Sequence, residues 1–140
     1  MIRAKRIERN RRCGAAAVEM AMVLGLLILL VFGIIEMGRA IMVNQVITNA
    51  AREGARRAVI PGATNAQVEA RVDKYLADAG ITGFSKAIEV DGSLGSLATA
   101  PSHAQVGVAV SVPYSEVSFG VLKLLAPDRI FVARANMRKE

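Results

Sequence analysis

The run from Ala15 to Ile35, AAAVEMAMVLGLLILLVFGII, is 21 residues long and contains a single charge, Glu19. As an α-helix it extends about 31 Å, enough to cross the hydrocarbon core of a bilayer. A chain carrying it must either bury it completely or place it in lipid, and 140 residues build little core in which to bury it. The flanks decide direction. Residues 1–12 hold six basic side chains, Arg3, Lys5, Arg6, Arg9, Arg11 and Arg12, against Glu8 alone, a net of +5. The whole chain totals +6, so only +1 is left for residues 13–140. The basicity therefore belongs to a short leader, and the near balance of the rest argues against a nucleic-acid partner. By the positive-inside bias the leader is expected in the cytoplasm and everything after about residue 36 outside it, in a single-pass protein of the bacterial inner membrane.

A secretory signal peptide also pairs a basic start with an apolar run, but its run is shorter and ends in a small-x-small cleavage site. Here Glu36-Met37-Gly38-Arg39 follows, so the segment reads as an uncleaved anchor. Cys13, the only cysteine, precedes the apolar run rather than following it, and so does not suit a lipidation site. A lone cysteine also permits no intrachain disulfide. Glu19 is the unusual residue. A carboxylate at depth in lipid costs a few kcal/mol and is a functional candidate by default; at headgroup level it would simply be solvated.

Gly14 followed by Ala15-Ala16-Ala17-Val18-Glu19 resembles the processing site of type IV prepilins and pseudopilins: a basic leader ending in Gly, then an apolar helix with Glu as its fifth residue. The stretches Gly33-Ile34-Ile35-Glu36-Met37-Gly38-Arg39 and Asn49-Ala50-Ala51-Arg52-Glu53-Gly54-Ala55-Arg56 make the chain similar to the TadE-like proteins of the tight-adherence (Tad) pilus. The resemblance covers about residues 14–57. The resemblance implies cleavage between Gly14 and Ala15 by a prepilin peptidase, which would make Ala15 the new N-terminus. It also implies a pilin-like fold, a role in assembling a Tad pilus for adhesion, and other pilins, pseudopilins and Tad assembly proteins as partners. An ammonium on Ala15 and the carboxylate of Glu19 attract strongly in a low-dielectric layer, so between neighbouring helices the pair would set axial register. Met20 stands where many Tad pilins carry an aromatic residue, which makes a minor pseudopilin the better match than the major subunit.

No helix breaker intervenes between Ile35 and Pro61, so the spacing predicts one helix from Ala15 to about Val59. Its second half is expected to be amphipathic, with Met37, Ile41, Val46, Ala50 and Ala55 on one side and Arg39, Asn44, Arg52 and Arg56 elsewhere. Gly38 and Gly54 weaken it, and Gly38 is a place for a kink. Arg52, Glu53 and Arg56 are candidates for packing against a partner; alternatively, Glu53 and Arg57 form an i,i+4 pair that merely supports an exposed helix.

Beyond Pro61-Gly62, Thr64 to Gln67 has the pattern of a capping box opening a second helix over about 65–79, closed by Gly80, with Val68, Val72, Tyr75 and Leu76 as its apolar face. The pattern then changes to period two. Ile88 and Val90, then Val106, Val108, Val110 and Val112, then Ile130 and Val132, predict strands. Residues 92–101 read as a Gly/Ser/Ala connection, and Phe119 to Leu125 as an apolar segment covering the sheet. The expected fold class is α+β: a long N-terminal helix, a short second helix, and a three- to four-stranded antiparallel sheet. The expected organisation is a leader over 1–14, a membrane helix over 15–36, an amphipathic helix over 37–60 and a small domain over 61–140.

Catalytic constellations are missing. His103 is the only histidine and reads as a turn or strand-entry residue, and with Cys13 it cannot assemble a zinc site of the usual ligands. Asp91 and Asp128 suit turns. No phosphate-binding loop occurs. The expectation is a protein that is not an enzyme, without metal, cofactor or small-molecule substrate. The alternative is an anchored sensor or ligand-binding module.

Overall fold

A computed structural model describes residues 2–117 and 129–139, with side chains from Gly14 onward within those ranges. The chain divides into two compact units, Met1–Met37 and Gly38–Glu140. The first helix, α1, spans Ile2–Ala58 and so contributes to both. The helix assignment continues through Gly38 and Gly54.

Between Val18 and Ile35 the large apolar side chains of α1 point outward. Fourteen large apolar residues between Val18 and Ile35 are each 46–75% exposed. Removing a fully exposed side chain of this kind from water is worth about 1.5–3 kcal/mol, so the exposed part of these fourteen is worth on the order of 10–25 kcal/mol on transfer to an apolar medium. That far exceeds the few kcal/mol for carrying Glu19 with them.

In the second unit the order after α1 is α2 (Asn65–Asp78), β1 (Ser85–Val90), β2 (Ser93–Leu94), β3 (Gln105–Pro113), α3 (Tyr114–Val117) and β4 (Ile130–Arg138). The four strands form one antiparallel sheet in the order β2-β1-β3-β4. This is the α+β class expected, with a long helix, a short helix and a small antiparallel sheet. β2 is new: residues 92–101 are more than a connection, because Ser93–Leu94 folds back on β1 as a hairpin and Leu97 plugs into the core at 2% exposure.

The ends of α2 are built as the sequence indicates. Thr64 takes an extended conformation, and its hydroxyl accepts from the Gln67 amide at 3.4 Å. At the other end Gly80, with φ +70°, donates to the Ala77 carbonyl and Ile81 donates to that of Leu76. Those two bonds satisfy carbonyls the helix leaves open, and Ile81 and Leu76 are both buried in the same core. Val68, Val72 and Leu76, four residues apart, face inward; Tyr75, expected with them, is 37% exposed, because it lies a third of a turn off that stripe.

The buried stripe of α1 also differs from the expected one. It runs through Val43, Ile47, Ala50, Ala51, Ala55 and Ala58, while Met37 and Ile41 are 64% and 53% exposed. Ala50 and Ala55 lie on the buried side as expected, and Val46 is half-buried. Small residues line the buried side because backbones approach closely there: a Cβ built on Gly54 would come 2.7 Å from Val72 of α2 and 3.1 Å from Val108 of β3. α1, α2 and β3 meet at this point.

On β3, Val106, Val108, Val110 and Val112 all face the core. Register then dictates β4: Met137, Ala135, Ala133 and Phe131 pair with those valines and share their face. Ile130 and Val132 therefore point to the opposite side, 63% and 54% exposed. Strand β4 exists as expected, but the larger aliphatics mark its outer face. The segment 119–125, expected to cover the sheet, and Asp128 lie outside the described residues.

Candidate functional site

The candidates fall on α1 and around its contact with α2. Gly14, Ala15 and Glu19 are all helical and exposed, and a side chain at Gly14 would meet nothing within 4 Å. The Gly14–Ala15 peptide bond is thus sterically open. Gly14 disfavours helix by up to about 1 kcal/mol relative to Ala, which lowers the cost of local unwinding there.

The cluster after residue 51 resolves differently from its sequence pattern. Glu53 does not pair with Arg57. Its Oε1 accepts from Nε and Nη2 of Arg71, on α2, at 3.0 and 2.7 Å. Two N–H groups converging on one carboxylate oxygen fix geometry better than a flexible i,i+4 pair, and only helix packing brings Arg71 within reach. Arg57 instead donates from Nη2 to the Gln67 side chain at 2.8 Å, which keeps Gln67 from closing the reciprocal half of the capping box. Arg52 and Arg56 are exposed.

Between α1 and α2 these residues border an open groove of roughly 370 Å³. α1 contributes Glu53, Arg56 and Arg57; Ile60 follows it; α2 contributes Gln67, Ala70, Arg71 and Lys74. Arg52 lies off the groove. Of the expected cluster, then, Glu53 and Arg56 enter one surface feature and Arg52 does not. Arg71 and Lys74 went unnoticed in the sequence, although their spacing with Gln67 and Ala70 on one side of α2 was available to find them.

A second polar cluster ties α2 to the sheet. Lys86, at the start of β1, sits 2.5 Å from Asp73 and 3.7 Å from Glu69. Asn65 reaches the β2 hairpin, accepting from the Leu97 amide at 2.9 Å and donating to the Gly95 carbonyl at 3.4 Å. Lys139 closes the other side, its Nζ donating to the carbonyls of Leu97 and Ala100, each at 3.3 Å. Arg39 donates from Nε to the Val117 carbonyl. These contacts hold elements together. His103 occupies an exposed turn with φ +72°, and Asp91, also in a turn, accepts from the Gln105 amide at 2.8 Å. Among the described residues no group of three His, Cys, Asp or Glu side chains is placed to hold a metal ion.

The stretch of α1 from Gly14 to Ala58 is long and apolar enough to cross a membrane, and none of its most apolar window is buried. Residues 14–56 match the family model described as TadE-like protein. No curated protein and no solved structure matches the chain.

Proposed function

We propose that this chain, TadE-like over residues 14–56, is a minor pseudopilin anchored in the bacterial inner membrane that takes part in assembling a Tad pilus. The observation that carries the reading is the coincidence of two features: the family match over residues 14–56 contains the outward-facing apolar stretch of a helix long enough to cross a membrane. Together they support a Tad-pilus-associated membrane protein.

In the finer reading, a prepilin peptidase removes the leader after Gly14 at the cytoplasmic face. Ala15 then carries a free ammonium, and Glu19, one helical turn on, supplies the carboxylate that pairs with the ammonium of a neighbouring subunit. A mismatch of one turn leaves both charges unpaired in lipid, which is why such a pair sets register. The domain beyond residue 61 faces the other side of the membrane and carries the contacts to partner subunits.

The test is the intact mass and N-terminal residue of the protein recovered from membranes of its native host. A start at Ala15, abolished by replacing Gly14 with a bulky residue, is the expected result. An intact leader would remove the peptidase from the account and leave a membrane-anchored module.

A further inference from the structure

The groove between α1 and α2 carries more positive charge than its own chain compensates. Arg56, Arg57, Arg71 and Lys74 border it, with Glu53 as the one carboxylate in its lining. Glu53 is committed to Arg71, and Arg57 is hydrogen-bonded only to the neutral Gln67 side chain. Among the described residues, neither Arg56 nor Arg57 has an acidic partner. Lys74 approaches Asp78 at 3.5 Å, but both side chains are about two-thirds exposed, so that pair leaves the ammonium available.

We infer that this groove is a docking site for an acidic segment of a partner protein. The Glu53–Arg71 pair shows the chemistry at work: a carboxylate oxygen in the groove accepts from two N–H groups of one guanidinium, donors that Arg holds in a fixed fork. Arg56 and Arg57 offer two further forks, and Lys74 a fourth cation, spread over two helices. Ile60, 42% exposed, and Ala70 give the groove a small apolar surface for the stem of a Glu side chain. Those two side chains offer little to insert into a bilayer, so an extended acidic chain fits better than an anionic membrane surface. This inference is independent of leader processing: the groove is bordered by residues 53–74 whether or not Gly14–Ala15 is cut.

The experiment uses the full chain in phosphatidylcholine nanodiscs and a benzophenone-bearing peptide of alternating Glu and Ala, at about 50 mM salt to limit screening. Cross-links are located by peptide mapping, which separates the groove from the basic leader. Cross-links within residues 53–74, reduced about tenfold by Arg56→Glu with Lys74→Glu but unchanged by the exposed Arg138→Glu on β4, are expected. The Arg56→Gln, Lys74→Gln pair should give an intermediate loss. Cross-links confined to the leader, or equal loss in Arg138→Glu, would overturn the proposal. So would binding of the nanodiscs to phosphatidylserine vesicles that depends on Arg56 and Lys74 while the peptide fails to cross-link, which would assign the groove to lipid.

Discussion

Gly54→Ala, measured beside Gly38→Ala, separates packing from helix propensity. Both glycines lie within α1, so propensity alone adds about 0.8–1.0 kcal/mol of stability at either position. At Gly38 the new methyl meets nothing within 4 Å, and the gain should be realised. At Gly54 the methyl lands 2.7 Å from Val72 Cγ2 and 3.1 Å from Val108 Cγ1. The closer contact is roughly 1 Å inside the optimum carbon–carbon separation of about 3.5–4.0 Å. Val72 and Val108 are 1% and 2% exposed, and both are β-branched, so neither has a free rotamer to retreat into. Overpacking of this kind costs about 1–3 kcal/mol. Subtracting the propensity gain leaves Gly54→Ala about 1 kcal/mol less stable than the parent, which lowers Tm by about 4–8 °C for a unit the size of Gly38–Glu140. Thermal unfolding in mild detergent, followed by the near-ultraviolet signal of buried Tyr114 and by protease resistance, reads this directly. Val72→Ala in the same chain should relieve the clash, so that the two changes are less than additive. A Gly54→Ala protein as stable as Gly38→Ala would refute the three-way contact of α1, α2 and β3.

Other outcomes follow from the same geometry. Asn65→Ala leaves the Leu97 amide without its acceptor at the buried base of the hairpin, at a cost of about 1–3 kcal/mol; hydrogen exchange should accelerate at Leu97 and its neighbours before it does in β3. Val110→Ala should cost about 2 kcal/mol and Val132→Ala less than about 0.5, since one is fully buried and the other 54% exposed; equal losses in denaturant titrations would contradict the strand register. Glu19→Ala should leave membrane insertion intact, because it removes a charge from the apolar segment, and should reduce pilus assembly; normal surface pili in that variant would remove Glu19 from the mechanism.

Where the sequence was legible, one local rule acted alone. The apolar run, the Thr64 cap, the Gly80 stop and the valine alternation of β3 each follow from short-range chemistry that no neighbour overrides. Where sequence and structure part, apolar size is a poor guide to the buried face. Met37, Ile41, Tyr75, Ile130 and Val132 are larger than the residues that are buried beside them, yet they point outward. Ala50, Ala51, Ala55, Ala58 and Ala133 are buried instead, and at Gly54, among them on α1, the neighbouring helix and sheet approach too closely for even one added methyl.

The candidate site divides in the same way. The amino-acid sequence by itself determined the membrane-length helix, its basic flank, the Gly14–Glu19 pattern and the α+β class, because these depend on composition and spacing along one element. Only the tertiary structure decided which side of α1 is buried, that Glu53 takes Arg71 instead of Arg57, and that Arg56, Arg57, Arg71 and Lys74 border one groove. Those are relations between residues on different helices, and the distance that makes an ion pair or a docking surface exists only once the helices have packed.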